Sequence, residues 1–110
     1  MDYRKPKENE LRLIEFLISS SKFHNTLSVS RLIVKSLKDG CMGSLKLSKV
    51  DNSFNNDRLV GEMLSEFMFK DVDNVKVIAS LYIDNYGNLF ELDIWKTDFS
   101  ELIEIPNSFD

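Results

Sequence analysis

A chain of 110 residues, 43% hydrophobic and with a mean hydropathy of -0.21, can bury one core and is short for two. Its net charge of -4 is unevenly divided: residues 1–61 carry 11 basic and 7 acidic side chains, a net of +4, whereas residues 62–110 carry 3 and 11, a net of -8. The acidic half argues against nucleic acid and favours a basic partner, the lone Cys41 excludes an internal disulfide and fits a reducing cytoplasm, and neither a signal peptide nor a bilayer-length apolar run is present.

Pro6 suits the first turn of a helix, where its missing N–H costs nothing. Leu11, Leu13, Ile14, Phe16, Leu17 and Ile18 then form a broad apolar face flanked by Glu8, Glu10, Arg12 and Glu15. That spacing predicts an amphipathic helix of about three turns. Ser19-Ser20-Ser21 ends it, because serine prefers caps and turns to helix interiors. Lys22 to Ser30 reads as a connection and contains the only histidine, His24, expected to be a surface or half-buried residue rather than a functional one.

Asp39-Gly40 predicts a two-residue hairpin turn that needs positive φ at both central positions. Val34 then lies opposite Leu45, and Leu32 opposite Leu47, with all four on one core face. Gly43 shares that face and leaves room for a bulky neighbour or a bulge. Ser48 to Asp57 is a polar, asparagine-rich loop.

Residues 58–66 read two ways. Val60, Met63, Leu64 and Phe67 fit helix spacing with Asn56 or Asp57 as cap, although Gly61 costs that helix about 1 kcal/mol. The preferred reading is a strand over Leu64 to Phe69, turning through Asp71-Val72-Asp73-Asn74 with Asn74 left-handed, which puts Phe67 and Phe69 beside Ala79 and Val77. A last hairpin follows. Tyr82 faces Glu91, Ser80 faces Asp93 and Ile78 faces Trp95 on one side, while Val77, Ala79, Leu81, Ile83, Phe90, Leu92 and Ile94 form the core side. Pro106 and the polar residues after it mark the end of ordered structure. The expected fold is α+β, a single domain with an N-terminal helix packed on a five-strand antiparallel meander, ordered over about residues 8–105 with frayed termini.

Leu37-Lys38-Asp39-Gly40-Cys41-Met42-Gly43-Ser44-Leu45, Phe69-x-Asp71-x-Asp73-Asn74 and Gly87-Asn88-Leu89-Phe90-Glu91-Leu92-Asp93-Ile94-Trp95-Lys96-Thr97-Asp98-Phe99 together resemble a family of small, functionally uncharacterised bacterial domains. The likeness covers roughly Leu32 to Pro106 and departs from the family pattern at Asn74 and Cys41, where glycine is common. In size, charge and layout that family is loosely similar to immunity proteins of polymorphic toxin and contact-dependent growth inhibition systems.

No catalytic set accompanies these motifs. Glu91 and Asp93 share a strand face about 6.5–7 Å apart at Cα, a spacing that suits an acid and base or two metal ligands as well as a hydrated sheet face. No histidine lies near Cys41 to activate it, Ser44 lacks a nucleophile elbow, and the four glycines form no phosphate loop. Trp95 is either exposed or covered by Phe99 or Leu102 of the C-terminal segment. The function expected is that of a small cytoplasmic immunity protein that binds a cognate toxin with a basic surface. Its partner-binding set is Tyr82, Asp84, Glu91, Asp93 and Trp95, with no catalytic residue, metal, cofactor, nucleic acid or membrane involved, as a monomer or weak homodimer. The alternatives are a small hydrolase or metal-dependent enzyme using Glu91 and Asp93, and a homo-oligomeric structural module.

Overall fold

A computed structural model of the chain describes residues 3–23, 25–50 and 57–109. His24 and the loop from Asp51 to Asn56, including the candidate cap Asn56, lie outside the described residues. One helix, α1 (Glu8–Ser19), precedes five strands: β1 (Leu32–Ser36), β2 (Leu45–Lys49), β3 (Val60–Lys70), β4 (Lys76–Asp84) and β5 (Leu89–Lys96). The strands form one antiparallel sheet, and the fold is α+β with the helix N-terminal to the strands, as expected.

The strand order β1-β2-β5-β4-β3 is not a continuous meander. A β1–β2 hairpin and a β3–β4–β5 meander join where β2 pairs with β5, Leu45 opposite Leu92 and Lys46 opposite Glu91. Burial explains the order. In β5 Leu89, Leu92 and Ile94 are enclosed, which suits a central strand, whereas β3 exposes Glu62, Met63, Glu66, Met68 and Lys70 and suits an edge.

In α1, Leu13, Ile14, Leu17 and Ile18 are buried, and the helix packs on β3 and β4. Pro6 lies ahead of the helix, and Lys7 takes the N-cap position. The Glu10 carboxylate accepts the Lys7 N–H at 2.8 Å and also receives the Arg4 guanidinium at 2.8 and 3.0 Å. At the other end Ser19 and Ser20 donate their hydroxyls to the Phe16 carbonyl at 2.7 and 3.0 Å, and Ser21 donates to Ile18 at 2.7 Å. Serine hydroxyls folded back onto the last turn end the helix there.

The β1–β2 pair is two residues out of the expected register: Val34 faces Leu47, and Ser36 faces Leu45. An even shift keeps every side chain on its face, so Leu32, Val34, Leu45 and Leu47 are all buried. The Asp39-Gly40 pair is no two-residue turn. The chain from Leu37 to Ser44 instead curls around the Asp39 carboxylate, which accepts the N–H groups of Met42 at 3.1 Å and Ser44 at 3.0 Å. Gly43, at φ +101°, does admit bulky neighbours: a Cβ there would sit 3.1 Å from Leu102 Cδ2 and 3.4 Å from Ile94 Cδ1.

Residues 60–70 are strand throughout, longer than Leu64 to Phe69, and no helix forms from Arg58 onward among the described residues. Phe67 and Phe69 face Ala79 and Val77 as expected, and Asn74 has φ +69°. Irregular pairing between Val60 and Met63 and between Met63 and Ser65 breaks the period of two, which gave that stretch its helix-like spacing. Gly61 is required in this stretch because a Cβ would lie 2.5 Å from the Asp84 carbonyl oxygen.

The β4–β5 register matches the expectation at Tyr82–Glu91, Ser80–Asp93 and Ile78–Trp95. Near the turn Ile83 pairs with Leu89, so Phe90 is the extra residue of a bulge and Leu89 replaces it in the main apolar core. Phe90 remains buried, its ring beneath the Lys46 ammonium at 4.1 Å.

After β5 the chain forms an irregular strap. Leu102 donates its N–H to the Cys41 carbonyl at 3.1 Å, Ile103 and Glu104 donate theirs to Asp71 at 2.7 and 3.1 Å, and Ile105 enters the core. Arg12 donates to the Pro106 carbonyl at 3.1 Å. Packing continues past Pro106, since the Phe109 ring lies 4.9 Å from Phe16 and 5.8 Å from Phe67.

Candidate functional site

The helix covers one side of the sheet, and the pairing registers arrange the other side in three rows. Met63, Tyr82, Glu91 and Lys46 form the first; Glu66, Ser80 and Asp93 the second; Met68, Ile78 and Trp95 the third. An acidic row therefore lies beside an apolar one. Met68 is 50% and Trp95 41% exposed, and the Phe99 ring sits 6.1 Å from the indole. Of the two arrangements open for Trp95, the exposed one holds: Phe99 flanks it, and Leu102 packs against the core instead.

Val60, Tyr82, Glu91 and Asp93 border a shallow hollow of about 270 Å³. Burial, then the charge of Asp93, pushes the Glu91 carboxyl above its ordinary range, while Lys46 across the strand pair pulls it back in part. Burial, then Asp93, Glu91 and Glu66, likewise pushes up the Tyr82 phenol. Glu66 accepts the Ser80 hydroxyl at 3.2 Å, and the Ser44 hydroxyl approaches Asp93 at 3.4 Å. The hollow thus holds negative charge against a partly dry surface, a place that a cation would stabilise.

Tyr82, Glu91, Asp93 and Trp95 share this face. Asp84 does not. Its side chain is fully enclosed, with Arg58 Nε at 2.6 Å and the N–H groups of Tyr86 and Asn88 donating to it at 2.8 and 2.9 Å. Burial would raise this carboxyl, but the hydrogen bonds from Asn88, Arg58 and Tyr86 outweigh it and hold it low. Asp84 ends β4 beside the bulge, where Arg58 and the turn amides enclose its carboxylate, so period-two reading gave its place in the strand but not that its charge is already occupied. The sequence reading also missed Glu66, Met63 and Met68 of β3. Placing Phe67 opposite Ala79 already sets Glu66 opposite Ser80, so following that register across the sheet would have found the acidic row.

The motif residues outside the face hold the fold together. The Lys96 ammonium is enclosed and donates to Asp71 at 2.9 Å, Asp73 at 2.7 Å and the Glu101 carbonyl at 3.0 Å. The Ser44 hydroxyl accepts the Ile94 N–H at 2.8 Å and donates to the Ile94 carbonyl at 3.2 Å, which ties β2 to β5. Cys41 is exposed in the loop around Asp39. Among the described residues, no group of three or more His, Cys, Asp or Glu side chains is placed to hold a metal, and no helix is long and apolar enough to cross a membrane.

Fold and site together define a small α+β domain with one covered and one open sheet face. A family profile described as Domain of unknown function (DUF6984) matches residues 3–106, and the chain belongs to that family. Searches of curated proteins and of solved structures found no match.

Proposed function

We propose that this domain is an interaction protein, and that its open face binds and neutralises a basic cognate toxin domain in the cytoplasm. The observation that carries the reading is the juxtaposition of Glu66, Asp93 and Glu91 with the apolar row Met68–Ile78–Trp95, in which Met68 and Trp95 are exposed. Aromatic and methionine side chains supply contact area at interface centres, and carboxylates beside them pair with arginine or lysine of a partner. The resemblance to immunity proteins of toxin systems, in size and charge, points the same way. Tyr82 and Trp95 serve as anchors, and Glu91 and Asp93 supply the charge.

The test is co-expression and co-purification with a toxin domain encoded immediately upstream. The pair Glu91→Lys and Asp93→Lys is expected to weaken binding at least about a hundredfold while leaving the circular dichroism spectrum unchanged. Full neutralisation by that double variant would overturn the site assignment.

A second reading, hydrolytic or metal-dependent chemistry at Glu91 and Asp93, has one observation in its favour, the raised Glu91 carboxyl beside a hollow. Glu91→Gln separates the two. It abolishes turnover if Glu91 is an acid catalyst, but it weakens partner binding only by about 1 kcal/mol if Glu91 is one charge among three.

A further inference from the structure

A second cleft lies on the side of the β1–β2 loop. It has a volume of about 550 Å³ and opens between Arg4, the start of α1 and the β1–β2 loop. That size falls within the range of small-molecule sites, about 300–1,000 Å³. Three cations, Arg4, Lys7 and Lys38, and two carboxylates, Glu10 and Asp39, line it.

Both carboxylates are already engaged. Glu10 holds the Arg4 guanidinium through two bonds and caps α1 through the Lys7 N–H. Asp39 is wrapped by its own loop, accepting from Met42 and Ser44. Lys7 and Lys38 are exposed, and among the described residues neither ammonium has an ion-pair partner. The amides on Asp39 are neutral donors and leave its charge in place, so three cations against two carboxylates give the cleft a net charge of +1.

The walls add two further properties. Leu37 and the buried Leu45 give an apolar side. Gly40, at φ +74°, has no atom within 4 Å of where a Cβ would stand, so the loop crest leaves open space beside the lysines. We infer that this cleft binds a small organic anion, its carboxylate or phosphate held between Lys7 and Lys38 and its apolar part laid against Leu37. Ser44 lines this cleft and also approaches Asp93 at 3.4 Å, so the cleft adjoins the acidic face, but Lys7 and Lys38 hold the anion and its binding does not depend on the toxin-binding reading.

Amide chemical-shift titration with phenyl phosphate, inorganic phosphate and phenol tests the inference on the whole chain. Phenyl phosphate is expected to saturate shifts at Lys7 and from Leu37 to Ser44, and to bind about tenfold more tightly than inorganic phosphate because it adds apolar burial. Phenol should leave these amides unmoved. The double variant Lys7→Gln with Lys38→Gln, at exposed positions, should keep the urea midpoint and lose at least about tenfold in phenyl phosphate affinity. Failure to saturate, shifts centred elsewhere, or unchanged binding by the double variant would each overturn the assignment.

Discussion

Arg58 and Asp84 meet at 2.6 Å with 6% and none of their side-chain surface exposed, and the same guanidinium donates to the Leu47 and Leu89 carbonyls at 3.1 and 2.6 Å. One buried residue thereby ties β2 to the β4–β5 turn. Asp84→Ala leaves that cation without its partner, and a loss of about 3–5 kcal/mol in urea unfolding is expected. Glu91 behaves in the opposite way. Its raised carboxyl means that ionisation opposes folding at neutral pH, so Glu91→Gln is expected to stabilise the fold. Solvent screening of this half-exposed group holds the gain to about 0.5 kcal/mol, measurable by calorimetry. The sequence made Glu91 and Asp93 legible as a pair on one face because their strand alternates regularly. It could not show that Asp84 is occupied, since its partner Arg58 lies 26 residues away and leaves no mark on the strand's own pattern.

At the scale of elements, the irregular C-terminal strap depends on Asp71. That carboxylate accepts the N–H groups of Ile103, Glu104 and Val72 while facing the Lys96 ammonium, so one side chain satisfies backbone donors that a strand would have paired. Asp71→Asn keeps the shape and removes the charge. Hydrogen exchange at the Ile103 and Glu104 amides is expected to accelerate at least about tenfold, with the core amides of β4 and β5 little changed. Equal acceleration everywhere would mean that the strap does not open on its own. The β4–β5 hairpin and the Phe67–Phe69 end of β3 were legible because their turns are short and their faces alternate, whereas irregular pairing between Val60 and Ser65 hid the start of β3. The β1–β2 register was not legible: the Asp39 carboxylate organises a longer loop by binding amides three and five residues on, and a dipeptide turn signal does not register that.

For the whole molecule, the charge asymmetry along the chain becomes a charge asymmetry in space, with Lys7 and Lys38 at one cleft and Glu66, Glu91 and Asp93 on the open sheet face. Binding through that face is expected to weaken with added salt, as screening shortens the reach of its field. Stability should respond to pH at both ends. Asp71, Asp84 and Glu10 are held below their ordinary values, by hydrogen bonds and opposite charges that outweigh burial. Their contribution is present above the ordinary carboxylate range and is lost as pH falls through the lowered values. Burial would lower Lys96, but Asp73 and Asp71 raise it. Its contribution is complete below the ordinary lysine value and is lost as pH rises through the raised one. Urea midpoints at constant ionic strength should therefore form a plateau at neutral pH that falls away in acid first. A midpoint that climbs below pH 4 would contradict the buried-carboxylate account.

The amino-acid sequence by itself determined the helix, the strand alternation and the separation of apolar from acidic sides, because these follow from side-chain periodicity within one element. Only the tertiary structure decided that β5 inserts between β2 and β4, that Asp84, Asp71 and Lys96 turn inward, and that Glu66 and Met68 of β3 join the face of Glu91 and Trp95. Strand order and buried charge pairing depend on groups far apart in the chain meeting without water, and no local pattern contains that information.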